Sequence, residues 1–313
     1  MPIVLIVIGF VLLIGGSELF VRGASTLALR LGLTPLVVGL TVVAVGTSSP
    51  ELAVSIKASL GGSGGVAVGN IVGSNICNIG LILGVAALVF PLTVERKVIR
   101  REIPILLAAS GLFLVFAANK TLSRVEGIIS ITAVIGYMVF LVVEGRRASR
   151  KDKEFSAAAL PASSLPLWSC LLLIAAGLTA LIFGSRFVVD GAVVIAKKAG
   201  MSEAVIGLTI VAIGTSLPEL ATSVVAAVKR EVDIAVGNVI GSNLFNLLLI
   251  GGVASALRPV DTGQLHPVDF AVMIVLSIVL LPFLRTGFKL SRLEGAVLAV
   301  GYITYIGYLI FSV

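Results

Sequence analysis

The chain has 313 residues, of which 58% are hydrophobic and only 12% are charged. Soluble domains carry about 25% charged residues, so this composition excludes an ordinary soluble protein. The net charge of +7 would suggest nucleic-acid binding in a soluble chain, but in a membrane protein it reflects Lys and Arg in cytoplasmic loops. We therefore predict an all-α polytopic membrane protein that lies in the lipid bilayer and has no nucleic-acid partner.

Apolar segments suited to crossing about 30 Å of hydrocarbon follow one another along the chain. The predicted spans are 3–22, 35–58, 66–90, 103–119 and 125–143, then 168–188, 204–228, 234–257, 268–284 and 294–312. The polar, Ser/Ala-rich stretch at 144–165 is predicted to be a linker without regular structure. Ten transmembrane helices are thus expected, in one five-helix unit at 1–143 and a second at 166–313.

The two halves are copies of one unit. Residues 39–78 and 207–246, aligned without gaps at an offset of 168, are identical at 22 of 40 positions. SRVEG at 123–127 and SRLEG at 291–295 keep the same offset. A unit with five spans leaves the chain on the opposite side of the membrane, so the second copy enters from the other face. We predict two inverted repeats, an arrangement found in many secondary transporters.

The basic residues predict the orientation. If the N-terminus lies outside, 16 of the 23 Lys and Arg residues fall on the cytoplasmic side. These are Arg22, Arg30, Arg96, Lys97, Arg100 and Arg101, five residues of the linker, and Lys229, Arg230, Arg285, Lys289 and Arg292. The positive-inside rule then places both termini outside and the linker in the cytoplasm. We expect a multi-pass protein of the cell (plasma) membrane.

The second span and its copy contain a proline, GTSSPE at 46–51 and GTSLPE at 214–219. Pro50 and Pro218 donate no backbone hydrogen bond, and each ring clashes with the carbonyl four residues earlier, so both helices are predicted to break. Carbonyl groups freed at membrane depth are tolerated only where protein or a polar cavity supplies partners. The breaks therefore predict a polar centre inside the membrane.

Each break is followed by an acid, Glu51 or Glu219. A carboxylate near the bilayer centre costs about 2.5–3.5 kcal/mol even on the lenient insertion scale, so such residues are functional by default. The alternative is a structural ion pair. Lys57 is the base on the same span, but the second copy has Val225 there, which disfavours that alternative.

The third span and its copy supply further oxygen atoms, in GNIVGSNICN at 69–78 and GNVIGSNLFN at 237–246. Their glycines alone could be explained as packing faces, but the polar residues could not. The donors expected to meet at the repeat axis are Thr47, Ser48, Glu51, Ser74 and Asn78, with Thr215, Ser216, Glu219, Ser242 and Asn246. Hard oxygen ligands suit Ca²⁺ and Na⁺ rather than Zn²⁺ or copper. Two glutamates balance one Ca²⁺, and Na⁺ at the same oxygens would exclude it.

These duplicated motifs resemble the alpha-repeats of the sodium/calcium exchangers, in the cation/Ca²⁺ exchanger superfamily (prokaryotic type). The resemblance covers essentially the whole chain. It implies ten helices, five plus five inverted, with helices 2, 3, 7 and 8 broken at a central site. It also implies exchange of Na⁺ for Ca²⁺ by alternating access, with the first and sixth helices sliding across a static core, and no cofactor. Two metal ligands are added by the resemblance, the carbonyl groups of Ala44 and Ala212.

The resemblance also bears on potassium. Some archaeal relatives and all potassium-dependent relatives place Asp where Asn246 stands, whereas Asn matches the potassium-independent animal exchangers. The resemblance therefore implies a K⁺-independent exchanger. Three alternatives stay open. An H⁺/Ca²⁺ exchanger would use the same buried acids, and a cation channel the same oxygens. An intramembrane enzyme is disfavoured because no catalytic Ser/His, Cys/His or Asp pair is expected at membrane depth. We expect a monomeric transporter that is not an enzyme.

Overall fold

The computed structural model describes residues 2–155, 165–200, 210 and 212–312, and these are almost entirely helical. The first half contains α1 (Pro2–Leu31), α2 (Pro35–Thr47), α3 (Ser49–Leu60), α4 (Gly64–Val89), α5 (Ile103–Ala117) and α6 (Arg124–Phe155). The second contains α7 (Leu167–Lys198), α8 (Ala212–Thr215), α9 (Leu217–Val228), α10 (Val232–Leu257), α11 (Pro267–Arg285) and α12 (Arg292–Ser312).

Seven of the described helices are long and apolar enough to cross a membrane, and the bent pair α2 and α3 makes an eighth when it is counted as one span. The chain is therefore a mostly helical, multi-pass membrane protein. Helix α5 has 15 residues and follows a π-helical turn at Val98–Glu102, and α9 has 12 residues. Most of the part of the predicted span 204–228 that precedes α8 lies outside the described residues.

Both proline-containing segments break where the sequence predicts. Helices α2 and α3 meet at Ser48, where ψ is 8° and the axes bend by 48°. Helices α8 and α9 meet at Ser216, where ψ is 6°. Each proline then lies in the first turn of the following helix, where its missing N–H is not required.

The carbonyl groups that the prolines release are satisfied by hydroxyl groups. The carbonyl of Gly46 accepts a hydrogen bond from Ser49 Oγ at 2.7 Å. The carbonyl of Gly214 accepts one from Ser185 Oγ, on α7, at 2.5 Å. Both breaks are thus closed by protein partners, as buried backbone in a membrane requires.

The resemblance implies that the third and eighth of the ten predicted spans are broken. These spans correspond to α4 and α10, which are not broken, so that expectation is wrong. Both helices run continuously, and each contains a wider π-helical segment, at Asn78–Leu83 and Phe245–Ile250. The physical reason is that no proline lies within either helix. The backbone absorbs the disturbance in a π-helical segment, a feature that often marks functional sites.

The predicted linker begins inside a helix. Helix α6 continues to Phe155, so the expectation of no regular structure is wrong for residues 144–155. Seven of these twelve residues are Arg, Lys or Glu, which favour helix even where few apolar residues are present. Residues 156–164 of the linker lie outside the described part of the chain.

Helices α1 and α7 pack antiparallel through glycines. A Cβ added at Gly16 would lie 2.9 Å from the carbonyl oxygen of Gly177, and one added at Gly177 would lie 2.7 Å from that of Gly16. In the same way, a Cβ added at Gly9 would lie 2.7 Å from the carbonyl oxygen of Gly184, and one added at Gly184 would lie 2.8 Å from that of Gly9. The absent side chains let the two backbones approach closely. Gly9 and Gly177 are equivalent in the duplication, and so are Gly16 and Gly184.

Two further glycine contacts join the halves. A Cβ added at Gly295 of α12 would lie 2.7 Å from the carbonyl oxygen of Gly84 in α4. One added at Gly127 of α6 would lie 2.6 Å from that of Gly252 in α10. Residues 84 and 252, and residues 127 and 295, again differ by 168. The same contact therefore occurs twice.

Four two-residue strands repeat this pattern outside the helices. β1 (Leu92–Thr93) pairs antiparallel with β4 (Lys289–Leu290), and β2 (Thr121–Leu122) pairs antiparallel with β3 (Val260–Asp261). Each strand of the first half is thus paired with one of the second half. The two strand pairs are equivalent under the offset of 168, so the halves are joined by the same contact at two places.

Candidate cation site

The two acids of the repeated motif lie at the centre of the helical core. Glu51 and Glu219 are each 1% exposed and occupy the first turn of α3 and α9. Ser48 Oγ donates a hydrogen bond to Glu219 Oε1 at 2.9 Å, and Ser216 Oγ donates one to Glu51 Oε1 at 3.1 Å. The serine at each break therefore binds the acid of the opposite half. These crossed bonds bring both acids and both breaks together.

Several buried oxygen atoms here have no hydrogen-bond partner. Eight buried side-chain nitrogen or oxygen atoms in the described part of the chain lack one, and five of them are oxygens of predicted site residues. They are Glu51 Oε2, Glu219 Oε2, Asn78 Oδ1, Asn246 Oδ1 and Ser242 Oγ. An unsatisfied buried polar atom is costly and calls for an explanation. A hard cation would satisfy such oxygens.

The other predicted residues of the first half border this centre. Thr47 is fully buried, and Ala44, also buried, accepts a hydrogen bond at its carbonyl group from Ser48 N at 3.0 Å. Ser74 Oγ lies 3.5 Å from Ser216 Oγ. Asn78 donates from Nδ2 to Asn243 Oδ1 at 3.0 Å, while its Oδ1 has no hydrogen-bond partner among the described residues.

In the second half, α8 begins at Ala212 and ends at Thr215. Thr215 is half-buried, and its side chain lies close to the carboxyl group of Glu51. Ser242 is fully buried in α10, and Asn246, 1% exposed, lies in the π-helical segment of that helix. The π-helical segments of α4 and α10 therefore begin at or next to the two predicted asparagines.

The structural ion pair that was the alternative for the acids is not formed. In the described part of the chain, no Lys or Arg side chain lies within ion-pair distance of Glu51 or Glu219, and Lys57 is exposed. Two buried carboxyl groups without basic partners leave their negative charge uncompensated when they are ionised. A bound cation would compensate that charge.

The donor set also limits which cation fits. Among the described residues, no three His, Cys, Asp or Glu side chains cluster as a metal site. The centre combines two carboxylates with hydroxyl and amide oxygens, which are hard ligands. Such oxygens match Ca²⁺ and Na⁺ and are poor ligands for softer transition metals.

Sequence reasoning missed a second layer of polar residues behind the acids. Asn70 and Asn238, on α4 and α10, bind Ser55 and Ser223 in the helices that carry the acids. A signal for them existed, because all four residues belong to pairs that are identical in both halves at the offset of 168. Residue identity alone did not reveal what they contact.

Comparison with known proteins places these motifs in context. The family described as "Sodium/calcium exchanger protein" matches residues 1–143 and 169–311. Putative antiporter CaxA of Alkalimonas amylolytica is 40% identical, over 99% of this chain and 98% of the relative. Sodium/calcium exchanger MaX1 of Methanosarcina acetivorans is 35% identical, over 96% of each chain. A solved structure of the sodium-calcium exchanger NCX_Mj, soaked with 10 mM Na⁺ and 10 mM Sr²⁺, is 32% identical, with a TM-score of 0.84 over 98% of this chain and 97% of that one.

Proposed function

The chain belongs to the sodium/calcium exchanger protein family, and from this premise we propose that it exchanges Na⁺ for Ca²⁺ across the plasma membrane, without K⁺, by alternating access at one central site. At the coarser level, it is a cation/Ca²⁺ antiporter and not an enzyme. The transported ions are substrates rather than cofactors. Na⁺ coupling, K⁺ independence and the shared site are the parts proposed.

The proposed site is built from oxygen atoms of both halves. Its ligands are Ala44, Thr47, Ser48, Glu51, Ser74 and Asn78, with Ala212, Thr215, Ser216, Glu219, Ser242 and Asn246. The observation that carries the proposal is a group of five buried oxygens on these residues that have no hydrogen-bond partner in the described part of the chain. Two of them belong to the acids, neither of which has a described Lys or Arg within ion-pair distance. A cation surrounded by them would exchange its hydration water for protein oxygens.

The proposed mechanism follows from competition for these oxygens. Ca²⁺ prefers 6–8 oxygen ligands, and two carboxylates neutralise its charge. Na⁺ ions would occupy some of the same oxygens, so a filled site holds one kind of ion and repels the other. Ser48 and Ser216 each contact the acid of the opposite half, which couples both helix breaks to the state of the site. Release of one ion is then required before the other is carried back.

Ten spans in two inverted repeats, 1–143 and 166–313, with the cytoplasmic linker at 144–165, are part of this proposal. The antiparallel contact of α1 with α7 supports it, because equivalent glycines occupy equivalent places on both helices. The strand pairs, repeated at the offset of 168, support it as well. With both termini outside, each half would present its broken helix to the shared site from the opposite membrane face. The proposed transporter is monomeric.

The experiment that tests the function is an imposed Na⁺ gradient. Purified protein in liposomes loaded with Na⁺ is diluted into Na⁺-free buffer that contains ⁴⁵Ca²⁺, at equal pH on both sides and with a protonophore present. We expect Ca²⁺ to accumulate inside, because outward Na⁺ movement drives it. Ca²⁺ uptake that does not depend on the Na⁺ gradient but is driven by an imposed pH gradient would instead establish H⁺/Ca²⁺ exchange. Single-molecule currents would establish a channel.

Replacing K⁺ by choline on both sides of the same liposomes is expected to leave Ca²⁺ uptake unchanged. The reason is that Asn246 contributes a neutral amide. The two negative charges of the acids are then balanced by Ca²⁺, and the site has no third carboxylate that K⁺ would neutralise. The measurement is the initial rate of ⁴⁵Ca²⁺ uptake across a series of K⁺ concentrations, with the ionic strength held constant. A rate that rises from zero with K⁺ would contradict the prediction.

A further inference from the structure

We propose that Asn70 and Asn238 are positioning residues, which fix the geometry of the cation site from behind it and thereby set its affinity and selectivity. The inference rests on the proposed function, since it concerns the same site. Neither asparagine is among the twelve proposed ligands. Both lie on the helices next to those that carry the acids.

Each asparagine ties down the turn that carries an acid. Asn70 Nδ2 donates to the backbone carbonyl of Glu51 at 3.1 Å and to Ser55 Oγ at 2.9 Å. Asn238 Nδ2 donates to the carbonyl of Glu219 at 3.4 Å and to Ser223 Oγ at 2.9 Å. Each amide thus binds the backbone of the acidic residue and the side-chain hydroxyl four residues later, and it does so from a neighbouring helix.

Asn238 also reaches the other half of the molecule. Thr47 Oγ1 lies 3.0 Å from Asn238 Oδ1, and it also lies 3.1 Å from the carbonyl oxygen of Val43 and 3.4 Å from that of Ala44 in its own helix. Its one hydrogen can be donated to any of these acceptors, of which Asn238 Oδ1 is the nearest and the only one in the other half of the molecule. A hydroxyl group that binds a cation does so with its oxygen lone pairs, so its hydrogen must be directed elsewhere. In the proposed arrangement Asn238 accepts that hydrogen, which turns the lone pairs of Thr47 towards the cation. One side chain therefore holds the Glu219 turn and a hydroxyl ligand in a fixed relation.

This arrangement differs from ordinary packing. Asn238 is fully buried and uses both its oxygen and its nitrogen. Asn75 is buried to the same degree, on the same helix as Asn70, but donates to the carbonyl of Ile71 in its own helix at 2.8 Å. Asn75 thus offers a matched control, because it is a buried asparagine whose side-chain hydrogen bond to Ile71 stays within its own helix.

The expected effect is on binding rather than on folding. Loss of a group that orients metal ligands typically costs about 10–100-fold in affinity. Asn238→Ala is therefore expected to raise the dissociation constant for Ca²⁺ by about 10-fold or more. Asn70→Ala is expected to act in the same direction. A loosened cage also discriminates ion size less well, so the preference for Ca²⁺ over the larger Sr²⁺ should shrink in both variants.

Equilibrium binding of ⁴⁵Ca²⁺ to the full-length protein in detergent, with Sr²⁺ as competitor, tests this independently of transport. Asn75→Ala is expected to keep both the Ca²⁺ dissociation constant and the Sr²⁺ competition of the unsubstituted protein. The Tm of each variant without Ca²⁺ is measured alongside. A merely structural role would lower that Tm and leave affinity and selectivity unchanged, and this outcome would overturn the proposal.

If Asn238→Ala does not yield folded protein, the positioning role is tested with Asn70→Ala and Ser223→Ala instead. Ser223→Ala removes one of the two groups that Asn238 Nδ2 contacts, so a weaker effect in the same direction is expected. Unchanged Ca²⁺ affinity in both would reject the positioning role. If the unsubstituted protein binds Ca²⁺ but shows no Na⁺-driven uptake, the proposed exchange fails while the inference about the site is still tested.

Discussion

Replacing either Glu51 or Glu219 by glutamine is expected to abolish Na⁺-driven Ca²⁺ uptake and to leave the protein folded. Each substitution removes one of the two charges that face the cation. At a separation of about 4 Å and an effective dielectric constant of about 20, one pair of unit charges is worth about 4 kcal/mol. A tenfold change in affinity corresponds to about 1.4 kcal/mol. The Ca²⁺ affinity should therefore fall by at least about 100-fold.

Folding should survive because no base depends on either acid in the described part of the chain. The amide oxygen of glutamine can still accept the hydrogen bond from Ser216 or Ser48, so neither serine is left unsatisfied. The measurements are ⁴⁵Ca²⁺ uptake in liposomes and the Tm with and without Ca²⁺. Ca²⁺ should raise the Tm of the unsubstituted protein and leave that of the variants unchanged.

A matched control is available at the start of α6. Glu126 accepts a hydrogen bond from Ser123 N at 2.7 Å, while Glu126 N donates to Ser123 Oγ at 3.3 Å, which is a capping box. Glutamine serves equally well at that position of the motif. Glu126→Gln should transport normally. Ca²⁺ uptake that persists in both Glu51→Gln and Glu219→Gln would refute the proposed site, as would equal loss in Glu126→Gln.

Gly16→Val is expected to cause the second large loss, at the contact between α1 and α7. Its Cβ would lie 2.9 Å from the carbonyl oxygen of Gly177 and 3.1 Å from Leu181 N. Those atoms are backbone and cannot move aside without separating the helices. Overpacking of this kind costs about 1–3 kcal/mol. We expect a lower Tm and a fall in Ca²⁺ uptake of at least about tenfold.

The adjacent residue supplies the control. A Cβ added at Gly15 meets no atom of the described chain within 4 Å. Gly15→Val should therefore preserve both Tm and uptake, although it adds the same side chain to the same helix turn. If the two variants behaved alike, in either direction, the close approach at Gly16 would not explain the result.

The sequence predicted the helix breaks and the burial of the acids better than it predicted the contacts between the two halves. The family, the two broken helices and the burial of both acids follow from motifs that occur twice, and the comparisons and the structure agree with these predictions. The crossed bonds from Ser48 to Glu219 and from Ser216 to Glu51 could not be predicted. They join residues far apart in the chain, and no local pattern encodes which half a side chain faces.

The errors also have physical causes. Helices α4 and α10 were expected to break, but without proline the backbone keeps its hydrogen bonds and widens locally into π-helical turns. The start of the linker was expected to lack structure because it is polar, yet a polar sequence of good helix formers prolongs α6 to Phe155. Polarity predicts where a helix leaves the membrane, and it does not predict where the helix ends.

The glycine contact between α1 and α7 has a consequence for the origin of the fold. Gly9 faces Gly184 and Gly16 faces Gly177, so α1 and α7 contact each other through equivalent surfaces. Such a contact is isologous, as in a symmetric dimer. A single ancestral repeat inserted in both orientations would already have possessed this seam and could have assembled as an antiparallel homodimer. Gene fusion would then have joined two subunits that were already complementary.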